Sequence, residues 1–138
     1  MRHVLFRVAG ERFAIPLAAV REVVVPQPPF ARVPRASEAV RGVMNLRGRV
    51  VAVVDLAALV GLAPQKLDAA GGHVLILDHG KRAIGFLVAG VLGVEAIVPP
   101  EGAAPGLVRG VAPAAGGAVT LLGADALASE AERLFGAG

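Results

Sequence analysis

HVLFRVAGERFAIPLAA at residues 3–19 and HVLILDHGKRAIGFLVA at residues 73–89 decide how this chain folds. Laid over each other at a shift of 70, they share seven of 17 positions: His3/His73, Val4/Val74, Leu5/Leu75, Gly10/Gly80, Arg12/Arg82, Leu17/Leu87 and Ala19/Ala89. A second block recurs at a shift of 68, where residues 41–59 match 109–127 at seven of 19 positions, both copies starting Arg-Gly-Val. Chance in a chain of this composition gives about two identities in each comparison. Two copies of one unit, each of roughly 65–70 residues, are therefore expected. The reading is a single domain over 1–138 made of two small barrel subdomains, 1–66 and 67–138. They pack together because neither buries enough surface alone.

Within each copy the pattern is β. Short apolar runs rich in Val are separated by Gly, Pro or charged turns, which is the signature of a barrel or sandwich. HVLFRV (3–8), FAIPL (13–17) and VREVVV (20–25) read as strands, followed by the Pro-rich stretch PQPPFARVPR (26–35). GVMNL (42–46) and VVAVV (50–54) flank a tight turn and read as a hairpin. Asp55 is placed to cap a short helix in DLAALVG (55–61). HVLILD (73–78), RAIGFLV (82–88), VEAIVP (94–99), LVRGVA (107–112) and AVTLL (118–122) complete the strands. ADALASEAERLF (124–135) reads as a closing helix.

Composition supports a packed core. Of 138 residues, 55% are hydrophobic and 18% charged, with mean hydropathy +0.66, the opposite of a disordered chain. The longest apolar stretch, VVAVVDLAALVGLA, is broken by Asp55 and falls short of the roughly 18 residues of a spanning helix. No contiguous apolar segment follows Arg2 and Arg7, so a secretory signal is not expected. The expectation is a soluble, cytoplasmic protein with no direct membrane insertion. It has no cysteine, hence no disulfide and no thiol chemistry.

Charge is uneven. Residues 1–66 carry ten basic and four acidic side chains (+6), and residues 67–138 carry four and seven (−3). Such asymmetry fits an acidic partner or a nucleic acid. With no Trp, no Tyr and five Phe, stacking platforms for bases are scarce, which weighs against the nucleic acid.

Catalytic constellations are poor. His3, His73 and His79 show no metal-ligand spacing, and solvated or capping roles suffice for them. Ser37 and Ser129 lie outside any nucleophile motif, and the Gly-rich stretches lack a phosphate-cradling pattern. Asp55, Glu22, Asp78 and Glu95 all have ready structural roles. No enzyme, cofactor or metal is expected.

What the repeat does not repeat is more informative. The hairpin turn MNLRGRV (44–50) corresponds to APAAGGA (112–118), which does the same turning with small residues alone. Asn45, Arg47 and Arg49 are thus chemistry added to a scaffold that turns without them. Glu22 likewise interrupts an apolar strand whose counterpart region is GVL (90–92). An arginine on a rigid turn can fork onto a carboxylate. That carboxylate is either Glu22 of the same chain or a partner's.

These residues resemble a known family. FAIPLAAVREVV followed by RGVMNLRGRVVAVVDLAALVGL is similar to the CheW-type coupling domain of bacterial chemotaxis. The second-half segments HVLILDHGKRAIGFLVAGVLGVEAI and RGVAPAAGGAVTLLGADALA extend the likeness over about residues 3–135. Ala52 departs from it, standing where the family has Pro. The resemblance implies two five-stranded β-barrel subdomains with short helices, one of them C-terminal. It implies a non-enzymatic adaptor linking the tip of a methyl-accepting chemotaxis receptor to the CheW-like regulatory domain of a CheA-type histidine kinase. Carried over by position, the receptor-facing groove comprises Val20, Glu22, Gly42, Asn45, Arg47, Gly85, Val88 and Val91. The alternatives are a CheW-like scaffold of a non-chemotaxis pathway and a nucleic-acid-binding small β-barrel.

Overall fold

A computed structural model describes residues 1–26, 30–32, 37–65, 72–77, 83–102 and 105–135. The strands are β1 (Arg2–Val8), β2 (Glu11–Pro16), β3 (Val20–Val24), β4 (Val40–Leu46), β5 (Arg49–Asp55), β6 (His73–Leu77), β7 (Ile84–Val88), β8 (Gly90–Ala96), β9 (Val108–Ala114) and β10 (Gly117–Leu122). The short helix α1 (Leu56–Leu59) follows β5, and α2 (Ala124–Arg133) follows β10. Every strand and helix read from the sequence is present, within a few residues of its expected ends. The turn His79–Gly80 lies outside the described residues.

The ten strands form two five-stranded sheets, ordered β8-β1-β2-β10-β9 and β3-β6-β7-β5-β4. Among the described residues both are open rather than hydrogen-bonded into the closed barrels expected. Their orders are equivalent under the repeat, and each contains one parallel pair at the same place, β2 with β10 and β7 with β5.

A division at residue 66 follows neither sheet. The first sheet takes β1 and β2 from the first repeat and β8, β9 and β10 from the second. The second sheet takes β6 and β7 from the second repeat and β3, β4 and β5 from the first. The repeats have exchanged their leading hairpins. After β2 a single 3-10 turn at Leu17–Ala19 carries the chain into β3, which pairs with β6 in the other sheet. The crossing back is shorter still: β7 ends at Val88, and β8 begins at Gly90 against β1.

Side-chain patterning matches each strand's place within its sheet. Five of the seven residues of β1 and all five of β7 are buried, so both faces are covered and both strands are interior to their sheets. In β3 and β8 buried positions are lacking and half-buried alternate with exposed ones, as suits edges. Ala9 (φ 49) and Gly10 (φ 82) join β1 to β2 by a two-residue turn of the kind that matches strand twist.

Three apolar clusters result. The largest is the seam between the sheets, where Val4, Phe6, Val8, Phe13 and Ile15 meet Leu75, Leu77, Phe86 and Val88. Phe6 and Phe13 stack there with ring centroids 6.1 Å apart. Leu127 and Ala131 bring α2 onto the same seam. Smaller clusters lie inside each curled sheet, around Leu5, Ile97 and Leu121 in the first and around Met44, Val53 and Val74 in the second. Two small cores and a shared seam account for the high apolar content, and the seam dominates.

Gly85 is fixed by this packing. A β-carbon there would come 2.3 Å from Val74 Cγ1, on the strand beside it. Gly85→Ala should cost about 1–3 kcal/mol through overpacking. Adding Val74→Ala should recover part of that loss, in a double-mutant cycle read by urea unfolding. An additive cycle would show that the two positions do not compete for space.

Candidate functional site

The β4–β5 hairpin carries the unrepeated chemistry. Leu46 pairs with Arg49, leaving Arg47 (φ 50) and Gly48 (φ 83) as the two-residue turn. Two left-handed residues in succession are what a type I′ hairpin turn requires. Gly48 adopts this freely, whereas an L-residue such as Arg47 gives up about 1–2 kcal/mol to do so. Asn45 stabilises the turn from below, its Oδ1 accepting the Gly48 N–H at 2.8 Å. The Ala9–Gly10 turn has the same backbone with a bare methyl, so what sets the β4–β5 turn apart is the guanidinium it carries.

Arg47 presents its guanidinium across the open side of the second sheet. Nη2 donates to Glu22 Oε1 at 2.6 Å, joining the β4–β5 turn to β3 at the opposite edge. The side chains remain 69% and 29% exposed, so solvent screens the pair, and it is worth at most about 1 kcal/mol. The intramolecular alternative for Arg47 is therefore the one realised, with most of the guanidinium still open to solvent. We predict that Arg47→Gly leaves stability within about 1 kcal/mol of the parent, because relief of left-handed strain offsets the lost ion pair. Loss of several kcal/mol in chemical denaturation would instead make Arg47 a structural residue.

The remaining candidate positions divide by burial. Val20 and Val91 are half-buried and pack on the seam from β3 and β8 respectively. Gly42, Gly85 and Val88 are buried, and Val88 belongs to the seam itself. Gly42 (φ 138) makes room for the incoming chain: a β-carbon would lie 2.6 Å from the Ala31 carbonyl oxygen. Its contribution, like that of Gly85 and Val88, is to shape the sheet and not to offer a side chain. Glu22, Asn45 and Arg47 are the three that the fold brings together.

Sequence reasoning missed a buried polar network behind this hairpin. Asp55 caps α1 as expected, Oδ1 accepting from Ala57 N at 3.0 Å. It also accepts from Gln65 Nε2 at 2.6 Å, from Gln65 N at 2.9 Å and from Arg41 Nη1 at 3.4 Å. Gln65 further donates to Leu87 O at 2.8 Å, tying the segment after α1 to β7. Nothing in the local pattern marks Gln65, because its partner is ten residues away. His3, for which a solvated or capping role was expected, is buried, with Nδ1 3.1 Å from Met1 O. His73 does serve as a cap, accepting from Val91 N at 3.3 Å. Asp78 and His79 lie outside the described residues. Among those described, no three His, Asp or Glu side chains cluster as metal ligands would. No described helix is long and apolar enough to cross a membrane.

Two interlocked five-stranded sheets with two short helices and a side-chain-bearing hairpin at one open edge define a mainly β, two-sheet domain. By residues 2–132, which match the CheW-like domain, the chain belongs to the CheW-like domain family. It is 35% identical over 86 residues to the probable chemotaxis protein CheW of Rhizobium etli, covering 62% of this chain and 54% of that one. It is 36% identical over 75 residues to the chemotaxis protein CheW of Thermotoga maritima, covering 53% and 47%. It is also 32% identical over 92 residues to protein PilI of Pseudomonas aeruginosa, covering 65% and 49%. The chain spans about half the length of the curated relatives it matches. The crystal structure of the scaffolding protein TtCheW from Thermoanaerobacter tengcongensis superposes with a TM-score of 0.72 at 23% identity, covering 88% of this chain and 87% of that one. That likeness establishes the fold.

Proposed function

We propose that this chain is a non-enzymatic, cytoplasmic adaptor that couples a chemoreceptor's cytoplasmic tip to a CheA-type histidine kinase. The observation that carries the reading is Arg47, an exposed arginine kept at a strained turn position by Asn45 and steered by Glu22. Such an arrangement limits the rotamer entropy lost on binding and offers a fork for a partner carboxylate. Val20 and Val91, half-buried beside the seam, add apolar surface against which a receptor helix can pack. Charge complementarity at Arg47 then sets register and partner choice more than raw affinity. The buried Gly42, Gly85 and Val88 hold the groove's shape.

The test is co-purification of tagged protein with a receptor cytoplasmic fragment and a CheA-type kinase. We expect retention of both. Arg47→Glu should reduce receptor retention at least tenfold while shifting the unfolding midpoint by less than about 4 °C. Unchanged retention would remove Arg47 from the interface. Steeply salt-dependent binding to DNA or RNA, with no receptor retained, would favour the nucleic-acid alternative instead.

A further inference from the structure

The chain crosses between its sheets twice, and the two crossings are closed by different chemistry. The first runs through the 3-10 turn Leu17–Ala19 and is closed by main chain, the Val20 N–H donating to Leu17 O. The second has one residue, Ala89, between β7 and β8, which is too few for a turn that bonds i to i+3. Ala89 N donates back to Arg7 O at 2.7 Å, and the N–H of Val91 goes to a side chain, His73 Nδ1, at 3.3 Å. Register places His73 for this, since it pairs with Val88, the last residue of β7. Val20 and Val91, half-buried against the seam from opposite sheets, are thus held by a carbonyl in one case and by an imidazole in the other.

A carbonyl does not titrate, whereas an imidazole does. To accept from Val91, Nδ1 must be bare, so the neutral ring carries its proton on Nε2. A second proton turns both ring nitrogens into donors. Nδ1–H would then face the Val91 N–H, and an attraction would become a clash of donors. His73 is half-buried, and the strands around it offer little to compensate that charge. β7 bears no charged residue. On β3, Glu22 stands opposite Ile76, with Arg21 in the bulge beside it. On β1, Arg7 stands opposite Gly90, its Nη2 3.9 Å from where a β-carbon on Gly90 would lie. Arg2, His3 and Glu95 are at the far end of the β1–β8 pair. Among the described residues no carboxylate hydrogen-bonds to the ring.

We propose that His73 is the positioning residue for the Val91 side of the groove, and that its protonation frees Val91 and weakens receptor binding. The sign follows from the hydrogen bond. Val91 is held while the ring is neutral, so affinity is highest there and falls as acid charges the ring. The Val20 side, closed by main chain, keeps its place in either state. A fold with one crossing too short to close itself has therefore put a titratable acceptor beside the groove. The effect on affinity rests on the adaptor reading; the coupling of His73 to Val91 does not.

The test uses the intact, isotope-labelled chain, first alone and then with a receptor cytoplasmic fragment. From about pH 8 to about pH 5.5, the range in which imidazoles take up a proton, the Val91 amide should shift with the same midpoint as the His73 ring. Affinity for the fragment should fall about fivefold or more over that range. His73→Asn offers a side-chain oxygen that accepts at every pH. Its Val91 amide should stay flat, and its affinity should match the parent's in the neutral state and change less than about twofold on acidification. Should that variant not fold, the parent's own Val91 titration decides. A Val91 amide that does not follow the ring, or an acid loss of affinity that persists in His73→Asn, would overturn the proposal. Failure of the fragment to bind at any pH would overturn the adaptor reading instead, and the Val91 titration would still show whether His73 holds that residue.

Discussion

Replacing Asp55 by alanine should lower the unfolding free energy by about 3–5 kcal/mol, a large share of the roughly 5–15 kcal/mol that holds a domain together. The carboxylate is 2% exposed and accepts four hydrogen bonds, from Ala57 N, Gln65 N, Gln65 Nε2 and Arg41 Nη1. Its loss strands two buried main-chain donors and breaks the link from Gln65 to the start of α1. Arg41 also donates to Gln65 O at 2.7 Å and is 28% exposed, so water can rehydrate part of it. Arg41→Ala should therefore cost much less, about 1 kcal/mol. Asp55→Asn keeps the shape but sets its NH2 against two donors in either orientation, Ala57 N and Gln65 Nε2 or Gln65 N and Arg41 Nη1, so it should fall between the two. Urea unfolding with an unchanged m-value is the measurement. A loss below about 1 kcal/mol for Asp55→Ala would mean that the network is replaced by water when the carboxylate is removed.

Asp55 also shows where sequence reading stops. Its position before an apolar helical turn made the cap legible, because capping is a local rule acting within three residues. Gln65 was not legible, since its role depends on how the chain returns after α1. The same divide runs through the hairpin. Arg47 stood out by comparison with the plain turn of the second copy, and Glu22 by its place in an apolar strand. That the two meet at 2.6 Å follows from β3 and β4 being the two edges of one curled sheet, which is a fact of topology. Gly85 and Val88 were carried over on resemblance, and the packing accounts for them by burial. Glu95 and Arg12 hold the second hairpin turn at its N–H and carbonyl, though the turn itself looked bare of chemistry. Strand identities and the repeat were readable because both are matters of period and identity. The exchange of hairpins was not, because sequence order says nothing about which sheet a strand joins.

That exchange yields the second large effect. If each repeat formed its own sheet, residues 1–66 and 67–138 expressed separately would each fold and would bind only through a modest interface. With the hairpins exchanged, each half lacks the two central strands of one sheet and the three outer strands of the other. Val4, Phe6 and Ile15 of the first half, and Leu75, Phe86 and Val88 of the second, would face water on their own. At about 25 cal/mol per Å² of apolar surface, leaving such side chains exposed removes the main term opposing chain entropy. We therefore expect each half alone to give a disordered circular-dichroism spectrum and no cooperative thermal transition. Mixing them should restore a β spectrum and an equimolar complex, helped by their opposite charges of +6 and −3. The parallel pairs β2–β10 and β5–β7 span long sequence separations, so association should be slow beside folding of the intact chain. Halves that fold cooperatively in isolation would show that the central hairpins are dispensable to their host sheets, contrary to the topology. Val88→Asp supplies the control. A charge placed in the seam should prevent the halves from assembling, whereas Arg47→Glu on the exposed turn should leave their assembly intact.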